Sequence, residues 1–355
     1  MTASRNWRSA LAGVALALLF GAVLAALLGY PPFDGYRALL RYSIGSTAKG
    51  SITAANAVPL VLTGLSAAIA FASGPVNLGQ PGQLLMGLLF TTVGGLYVHL
   101  PSVLEIPILL TLAALGGAMW AGVAAYAKRR LGMDEFIVTL MLNEIGRLLT
   151  DWAIASPLQD PTAGSVTTKA IDRRGWMPKV GTWSTSIFVG VGAVAIAWVV
   201  VHRFVDGYEW RMAGQAPLFA RLGGVDVDRN ITSVMLFTGG LAGLAGGVLL
   251  MAGPHRFVKG LGGNYGWDGV MIAVVAVNAI LAVLLYGLLF SALQTGAIGM
   301  EILADIPAEF IQILQAAIVL ITVAARGVVG STFSAWSARR TAQRRAMPRE
   351  GSPGP

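Results

Sequence analysis

Three side-chain amides lie close together in an otherwise apolar part of the sequence. Asn77, Gln80 and Gln83 fall within Gly74–Gly87, which also holds two prolines and four glycines between long apolar runs. In hydrocarbon, a side-chain amide or a main chain without helical hydrogen bonds has no hydrogen-bond partner. Such a stretch is therefore stable in a membrane only where protein or water surrounds it. Neutral amides both donate and accept hydrogen bonds, which suits hydroxyl groups and the edges of nucleobases. The stretch therefore predicts part of a pathway for an uncharged solute.

A second polar group interrupts the apolar run Phe136–Ala155. It comprises Asn143, Glu144, Arg147 and Asp151, whose spacings of three and four place them on adjoining parts of one helix face. Ionisable side chains within a membrane span usually face the bundle interior and pair with one another. Two interpretations stay open: an ion pair that only holds helices together, or a polar lining of the pathway.

The composition places these groups in a membrane protein. The 355 residues are 55% hydrophobic and 12% charged, whereas a soluble domain carries about 25% charged residues. The net charge of +8 does not require nucleic acid, because Lys and Arg gather at the ends of apolar runs that are expected on the cytoplasmic side. Cysteine is absent and the three histidines are scattered, so we expect no disulfide and no metal site.

The apolar runs predict an all-α polytopic membrane protein with about ten transmembrane helices. Basic residues at both ends of the chain place both termini in the cytoplasm, which requires an even number of spans. We therefore expect Val270–Thr295 to form two short, partly re-entrant helices that separate near Asn278. The amphipathic segment Pro31–Ser51 is expected at the outer interface, and Ser156–Trp183 in an external loop. The other predicted spans are Ala10–Tyr30, Thr53–Ser73, Leu84–Leu100, Leu104–Ala127, Phe136–Ala155, Ser184–Phe204, Ile231–Ala252 and Pro307–Ala325.

A single transmembrane domain is expected over residues 1–325. The basic residues 326–355, rich in Pro and Gly near their end, are expected to form a disordered cytoplasmic tail. Within the domain, Gly239, Gly243 and Gly247 are spaced by four, a pattern that lets two helices approach closely. We interpret these glycines as packing residues.

The longest cytoplasmic loop is predicted at residues 205–230. Within it, Gly214–Val225 predicts a short helix, since Pro217 suits a first helical turn, where its missing N–H costs nothing. An exposed apolar edge on a cytoplasmic helix indicates contact with a partner protein. That edge consists of Leu218, Phe219 and Leu222.

Sequence signatures of enzymes are missing from the chain. It contains no GxxxxGK[ST] phosphate-binding loop and no GxSxG, HExxH or CxxC pattern. We therefore assign no catalytic residue, no metal ligand and no cofactor to this chain. Hydrolysis of a nucleotide by the phosphate-loop route would have to reside in another subunit.

Four motifs follow one another at defined spacing. The first comprises Gly74, Asn77, Leu78, Gly79, Gly82, Gln83, Met86 and Gly87; the second Glu135, Thr139 and Asn143; the third Gly214, Pro217, Ala220, Arg221, Gly224 and Val225; the fourth Arg256, Gly260, Leu261, Tyr265, Gly266, Asp268 and Gly269. Together they resemble the integral-membrane permeases of bacterial ABC importers for simple sugars and nucleosides, in the group that also serves ribose and branched-chain amino acids. The resemblance covers about residues 59–325.

The resemblance implies a set of partners in the bacterial cytoplasmic membrane. Such permeases pair as two membrane subunits, homologous or identical, on two cytoplasmic ATPase subunits that bind ATP and Mg²⁺. An external binding protein or lipoprotein delivers the solute. The segment 214–225 would then be the coupling helix that contacts the ATPase. Its contact residues would be Gly214, Pro217, Leu218, Phe219, Ala220, Arg221 and Gly224.

Departures from the family pattern bear on two of these expectations. Leu218 and Phe219 stand where the family usually has a polar residue and Ala, which suggests a dedicated ATPase partner. Glu144 replaces a usual Tyr. Ala276, Val277 and Ile280 replace the residues of a family turn between the eighth and ninth helices, the region of the predicted break.

A second polar break matches the first in part of its sequence. Asn77-x-Gly79-x-x-Gly82 recurs as Asn264-x-Gly266-x-x-Gly269, and the predicted topology places the two on opposite sides of the membrane. Paired breaks in two halves are typical of transporter sites. We therefore predict an inverted repeat of two five-helix halves. The predicted pathway residues are Asn77, Gln80, Gln83, Asn143, Asn264, Asp268 and Asn278.

Two alternatives to an ATP-driven importer stay open at this point. In an ion-gradient-driven secondary transporter or channel, Glu144, Arg147 and Asp151 would be the coupling groups. In a structural membrane subunit there would be no pathway at all. Transport without any ATPase subunit, abolished by an ionophore, would identify the first alternative.

Overall fold

The computed structural model describes residues 3–324, and within them the side chains of residues 12–324. The described chain is mainly helical, with one small antiparallel hairpin. The helices are α1 (Ala3–Leu27), α2 (Pro32–Ser43), α3 (Thr47–Ala72), α4 (Gln80–Tyr97), α5 (Ser102–Leu131), α6 (Glu135–Ala155), α7 (Ser186–Arg203), α8 (Val205–Gln215), α9 (Pro217–Leu222), α10 (Val227–Ala252), α11 (Tyr265–Val275), α12 (Ile280–Ala304) and α13 (Phe310–Ala324), and the strands are β1 (Lys179–Val180) and β2 (Trp183–Ser184).

Ten of the described helices coincide with the predicted spans, namely α1, α3, α4, α5, α6, α7, α10, α11, α12 and α13. Five of them, α3, α5, α7, α10 and α12, are long and apolar enough to cross a membrane by length and composition. The helix α6 has 21 residues, but three charged side chains interrupt its apolar sequence. The prediction of a polytopic all-α membrane protein is confirmed.

The chain divides into two compact units. Among the described residues, one unit comprises residues 3–33 with 309–324, and the other comprises residues 34–308. In the first unit α1 packs closely on α13, since a Cβ added at Gly13 would lie 2.7 Å from Thr322 Oγ1. The predicted cytoplasmic tail 326–355 lies outside the described residues.

In the larger unit α3 and α10 are the most deeply buried of the spans. The helix α3 packs against α10, α11 and α12, while α10 packs against α4 and α5. Close helix approach depends on the predicted glycines. A Cβ added at Gly243 would clash with Ala113 O and lie 2.8 Å from Gly117 Cα, and one at Gly247 would lie 2.5 Å from Ala113 Cβ. The interpretation of these glycines as packing residues is therefore confirmed.

The break predicted near Asn278 is present, but the two helices beside it are unequal. The backbone φ angles of Val277 and Asn278 are +51° and +57°, a left-handed conformation that ends α11. The helix α11 has 11 residues, whereas α12 has 25 and runs nine residues past the predicted end at Thr295. The prediction of two short helices is wrong for the second, because its far end packs on α2: Gly296 and Gly299 lie against Leu39 and Tyr42.

The predicted cytoplasmic loop 205–230 is largely helical. Its first eleven residues form α8, which buries Gly207, Trp210 and Ala213. The indole Nε1–H of Trp210 donates a 2.8 Å hydrogen bond to Ser233 Oγ on α10. Burial of Trp210 against α10 explains why this segment is ordered as a helix rather than as an open loop.

On the other side of the unit, two loops pack together as a cap, defined here as residues 156–185 and 253–264. Main-chain hydrogen bonds join them, including Ile171 N to His255 O at 2.8 Å, and Thr167 forms an isolated bridge with Val258. The rings of Trp176 and His255 stack 3.9 Å apart and nearly parallel. The cap thus has its own packed centre outside the helices.

We predict that acidification weakens the cap. Partial burial lowers the pKa of His255 from its ordinary value of 6.5, and the charge of Lys179 lowers it further. Between that lowered pKa and about pH 6.5, His255 binds more protons in the unfolded chain than in the folded protein. The free energy of unfolding therefore falls as the pH falls through this window. Thermal unfolding measured from about pH 7.5 to about pH 5.5 should show this loss.

The variant His255→Phe retains a ring to stack on Trp176 and should show a smaller loss of thermal stability over the same pH range. His202→Phe, a change at an exposed histidine, is the matched control. Equal pH dependence in wild type and His255→Phe would contradict the assignment of this effect to His255.

A second prediction concerns helix packing. Gly243→Ala should lower the free energy of unfolding by about 1–3 kcal/mol, because the added methyl group must displace the α5 backbone. Gly192→Ala on α7 is the control, since no atom lies within 4 Å of its added Cβ. Thermal unfolding in detergent, followed by tryptophan fluorescence, compares the two. A Gly243→Ala protein as stable as the Gly192→Ala protein would show that the close approach is not required.

Candidate functional site

A fully buried cluster of amides lies where α4 begins. Asn77 and Gln83 exchange two side-chain hydrogen bonds of 3.0 and 3.4 Å, and Asn77 also donates to Thr238 Oγ1 on α10 at 3.3 Å. Gln80 Nε2 donates to the main-chain oxygen of Asn77 at 2.9 Å and approaches Ser66 Oγ on α3 at 3.5 Å. These contacts join α3, α4 and α10 through polar groups in the middle of an apolar bundle.

Asn143 on α6 completes this amide cluster. Its Oδ1 accepts a 2.9 Å hydrogen bond from the N–H of Gly82, in the first turn of α4, and its Nδ2 donates to Leu78 O at 2.9 Å. The Leu78 N–H in turn donates to Thr139 Oγ1 at 3.3 Å. The side chains of α6 thus supply hydrogen-bond partners to the non-helical stretch that precedes α4.

One polar atom of the cluster has no partner. Gln80 Oε1 is buried and accepts no hydrogen bond from any described residue. An unsatisfied buried carbonyl is costly, so such an atom is suited to accept a hydrogen bond from a bound molecule or water. Gln80 is therefore the member of the amide cluster that retains capacity for a ligand.

The beginnings of α4 and α11 meet inside the larger unit. A Cβ added at Gly266 would lie 2.5 Å from the Pro81 nitrogen. Thr63 Oγ1 donates a 3.0 Å hydrogen bond to Tyr265 O, so α11 begins well before the end of α3. With 11 residues, α11 spans about 17 Å, roughly half of a hydrocarbon core about 30 Å thick.

These two helices run in opposite directions from their meeting point. Beyond its start near Thr63, α11 continues toward the end of α3, because Asn278 shares a cavity with Ser73. The far end of α4 lies toward the cap, since Gly95 packs against Ile171. The predicted pairing of the two breaks thus has a structural counterpart, although the inverted repeat as a whole stays a prediction.

The two matched asparagines differ in position. Asn77 is buried and its Oδ1 accepts a hydrogen bond from the Gly79 N–H at 2.9 Å, two residues on. Asn264 is exposed, directly precedes α11 and forms no capping hydrogen bond through its side chain. The glycines of the two motifs serve the close approach of the helices, whereas the asparagines are not equivalent.

The remaining predicted pathway residues lie apart from the amide cluster. Asp268 is buried on α11, where its Oδ2 accepts a 2.8 Å hydrogen bond from Gln294 Nε2 on α12. Asn278 lines a cavity of about 260 Å³ together with Ser73, His202 and Arg211. The seven predicted residues therefore occupy separate places along α4, α6 and α11, with Asn77, Gln80, Gln83 and Asn143 together.

Two of the predicted coupling residues, Leu218 and Phe219, form an exposed apolar face on α9 together with Leu222. Leu218, Phe219 and Leu222 are 74%, 66% and 81% exposed, while Ala220 is fully buried beneath them. Pro217 begins α9 and Gly224 follows it with φ of +84°, while Arg221 is exposed within it. Such a small helix, with its large apolar side chains directed outward, is suited to a complementary groove on another protein.

Gly214 connects this face to the membrane-spanning helices. A Cβ added at Gly214 would lie 2.6 Å from the carbonyl carbon of Ser73 and 2.8 Å from the nitrogen of Gly74. The end of α8 therefore touches the end of α3, at the start of the stretch that leads into the amide cluster.

The charged residues of α6 are paired within that helix. Arg147 donates to Glu144 Oε2 at 2.7 and 3.0 Å and lies 3.7 Å from Asp151 Oδ2. Neither ion pair reaches another described helix, so the interpretation that they hold helices together is wrong. Asn143 is buried, whereas Glu144, about 100° further round the helix, and Arg147 are exposed.

Sequence reasoning missed the hydroxyl groups of the amide cluster, on Ser66, Thr139 and Thr238. Thr139 could have been found, since it lies four residues before Asn143 and therefore on the same helix face. Thr238 and Ser66 carry no such signal, because single hydroxyls are common in apolar helices, where they bond to their own backbone.

We predict that Asn143→Ala destabilises the protein. The change leaves the buried Gly82 N–H and Leu78 C=O without their partner, at a cost of about 1–3 kcal/mol for each group. Asn264→Ala, at an exposed amide with no capping bond, is the matched control and should change stability by less than about 0.5 kcal/mol. Thermal unfolding in detergent measures both. Equal stabilities of the two variants would show that Asn143 is not needed to order the start of α4.

Comparison with known proteins agrees with this arrangement. The family described as branched-chain amino acid transport system / permease component matches residues 51–323. The guanosine ABC transporter permease protein NupP of Bacillus subtilis is 31% identical over 87% of this chain and 91% of that protein. The glucose ABC transporter permease protein TsgB13 of Haloferax volcanii is 29% identical, over 86% and 84% of the two chains. The nucleoside ABC transporter permease protein NupB of Lactococcus lactis is 29% identical, over 87% and 88%. The chain therefore belongs to the permease-component family of branched-chain amino acid transport systems.

Proposed function

We propose that this chain is the membrane-spanning permease subunit of an ATP-driven importer that carries a nucleoside or a simple sugar. The observation that supports it best is the exposed apolar face of α9, joined through Gly214 to the end of α3 and the polar break. This continuity gives a cytoplasmic ATPase a mechanical connection to polar groups inside the membrane. The chain itself would catalyse no reaction, and ATP with its Mg²⁺ would be bound by the ATPase subunits.

The solute class follows from the chemistry of the amide cluster and from the relatives. Gln80 Oε1 is a neutral acceptor without a partner, and the cluster contains no ionised group, which suits hydroxyl or N–H donors of an uncharged molecule. The starts of α4 and α11 direct two positive helix ends toward one another, which favours electron-rich oxygen atoms between them. Relatives named as guanosine, nucleoside and glucose permeases support the same class.

The importer would contain further subunits. An external binding protein or lipoprotein would deliver the solute to the side that carries the cap, and two ATPase subunits would bind at α9. A second permease, homologous or identical, would complete the membrane part. In Bacillus subtilis both NupP and NupQ are guanosine ABC transporter permease proteins, 31% and 24% identical to this chain, which supports a non-identical pair. We place the complex in the bacterial cytoplasmic membrane with both termini inside.

An ion-gradient mechanism is less well supported by the geometry. Its coupling groups would be Glu144, Arg147 and Asp151, but these pair with one another within α6 and lie outside the amide cluster. The decisive experiment is uptake into proteoliposomes that contain the chain, its second permease, the ATPase and the binding protein. Uptake of nucleoside or sugar that requires ATP supports the importer. Uptake without the ATPase, abolished by an ionophore, would support the secondary transporter instead.

We predict that Phe219→Asp weakens binding of the ATPase at least about tenfold, equivalent to about 1.4 kcal/mol, because a carboxylate would be buried in an apolar contact. Phe219→Leu should retain binding. Gln215→Asp, at an exposed position just before α9, introduces the same charge outside the apolar face and is the matched control. Co-purification of the ATPase and ATP-dependent uptake measure the effect. Normal ATPase binding by the Phe219→Asp protein would rule out α9 as the coupling contact.

A further inference from the structure

The cavity beside Asn278 lies where four helices meet at one end of the bundle. Its walls come from the ends of α3 and α7, from α8 and from the start of α12, and its volume is about 260 Å³. One water molecule takes up only about 30 Å³ of liquid, so the cavity has room for a larger polyatomic group. No residue of the amide cluster or of α9 lines it. The cavity therefore needs an explanation of its own.

The charged side chains at this cavity are cationic. Arg211, which lines it, donates a 3.2 Å hydrogen bond from Nε to Gly207 O, but its two Nη groups form no hydrogen bond or ion pair with a described residue. The guanidinium carbon of Arg203 lies 6.0 Å from the centre of the Trp198 ring, which also lines the cavity. No Asp or Glu is among the lining residues. The cavity is thus suited to an anion, whereas the amide cluster is neutral.

The start of α12 adds main-chain donors to the same cavity. Ala279 precedes this helix and provides no side-chain cap, so the N–H groups of the first turn have no acceptor within the helix. Two residues of that turn, Ile280 and Leu281, line the cavity. The N-terminus of a helix attracts negative charge and presents its N–H groups to oxygen atoms.

A buried hydroxyl group on the opposite wall is also without a partner. Ser73, at the end of α3, is 6% exposed and lines the cavity. Its hydroxyl forms no hydrogen bond with any described residue, and neither does the side-chain amide of Asn278. Polar groups with so little access to solvent normally have a partner. A bound group with several oxygen atoms would provide one for both.

We infer that this cavity binds a phosphate group, and that the phosphate belongs to the head of an anionic phospholipid. An arginine fork and the N–H groups at a helix start are the donors that proteins typically use for phosphate. Basic pockets between spans on the cytoplasmic side bind anionic headgroups. In the orientation that we propose, the end of the bundle that carries α8 and α9 is the cytoplasmic one.

The surface next to the cavity favours a lipid as the source of the phosphate. Leu281 is 64% exposed, and Leu285 and Leu288 continue the same face of α12 with 68% and 40% exposure. On α7, which packs against α12, Ile196 is 60% exposed and Trp198 38%. Tryptophan is typical of the membrane–water interface. An acyl chain would lie on this apolar surface while its headgroup occupies the cavity, whereas free phosphate would gain nothing from it.

Native mass spectrometry of the full chain in detergent tests the inference, with phosphatidylglycerol, phosphatidylcholine and inorganic phosphate as probes. We expect phosphatidylglycerol to be retained in preference to phosphatidylcholine, and Arg211→Gln to lower its retention several-fold. Arg130→Gln is the matched control, because it removes an exposed positive charge at the end of α5, whose last turns pack near the start of α10. This control should retain the lipid as the wild type does.

A second pair of variants separates loss of the site from loss of the fold. Leu281→Glu places a carboxylate in the first turn of α12, where negative charge favours the helix but repels a phosphate. Leu281→Gln has the same size without the charge and is its control. We expect phosphatidylglycerol to raise the thermal unfolding temperature of the wild type and of Leu281→Gln, but not that of Leu281→Glu. Equal stabilisation of both variants would overturn the inference.

The same probes distinguish the two sources of phosphate. Full stabilisation by inorganic phosphate, with no further gain from phosphatidylglycerol, would retain a phosphate site and overturn its assignment to a lipid. Equal retention of the two lipids, or equal loss in Arg211→Gln and Arg130→Gln, would overturn the site itself. None of these outcomes affects the proposed contact of α9 with the ATPase, which is tested separately.

Discussion

The structure depends on how a non-helical backbone is satisfied inside an apolar bundle. Between α3 and α4 the chain leaves helical conformation at Gly74–Gly79, and its main-chain groups need partners that lipid cannot offer. Asn77 and Asn143 supply them, by accepting from the N–H groups of Gly79 and Gly82. Because Gly82 lies on α4 and Asn143 on α6, this local requirement also fixes how those two helices sit against each other.

Close packing of the helices keeps the same amide side chains buried. The helix α10 passes between α4 and α5 with glycines at each approach, so that Gly243 and Gly247 contact the α5 backbone and Ala113. Thr238, on the same helix, can then reach Asn77. A larger residue at these glycines would hold α10 away and leave the amides without the hydroxyl group that completes their bonding.

The helix bundle carries different structures on its two sides, α8 and α9 on one and the cap on the other. On one side, Gly214 ties α8 to the end of α3, so the exposed face of α9 and the polar break are mechanically continuous. On the other side, the cap rests on the ends of α4 and α10, since Ile171 packs on Gly95 and Met177 N bonds to Met251 O. In the importer that we propose, the ATPase would act on the first side and the solute would arrive at the second. The membrane centre between them contains the meeting of α4 and α11.

The sequence by itself determined the membrane class, the approximate spans, the break near Asn278, the glycine packing and the apolar edge of α9. These depend on composition and on local spacing, which are fixed along the chain. Tertiary structure alone decided that Asn143 bonds across to Gly82, that Asn264 and Asn278 lie away from the amide cluster, and that Glu144 and Arg147 face outward. Which side of α6 is buried depends on which helix packs against it. Helical spacing shows which residues share a face, but it does not show whether that face contacts another helix or is exposed.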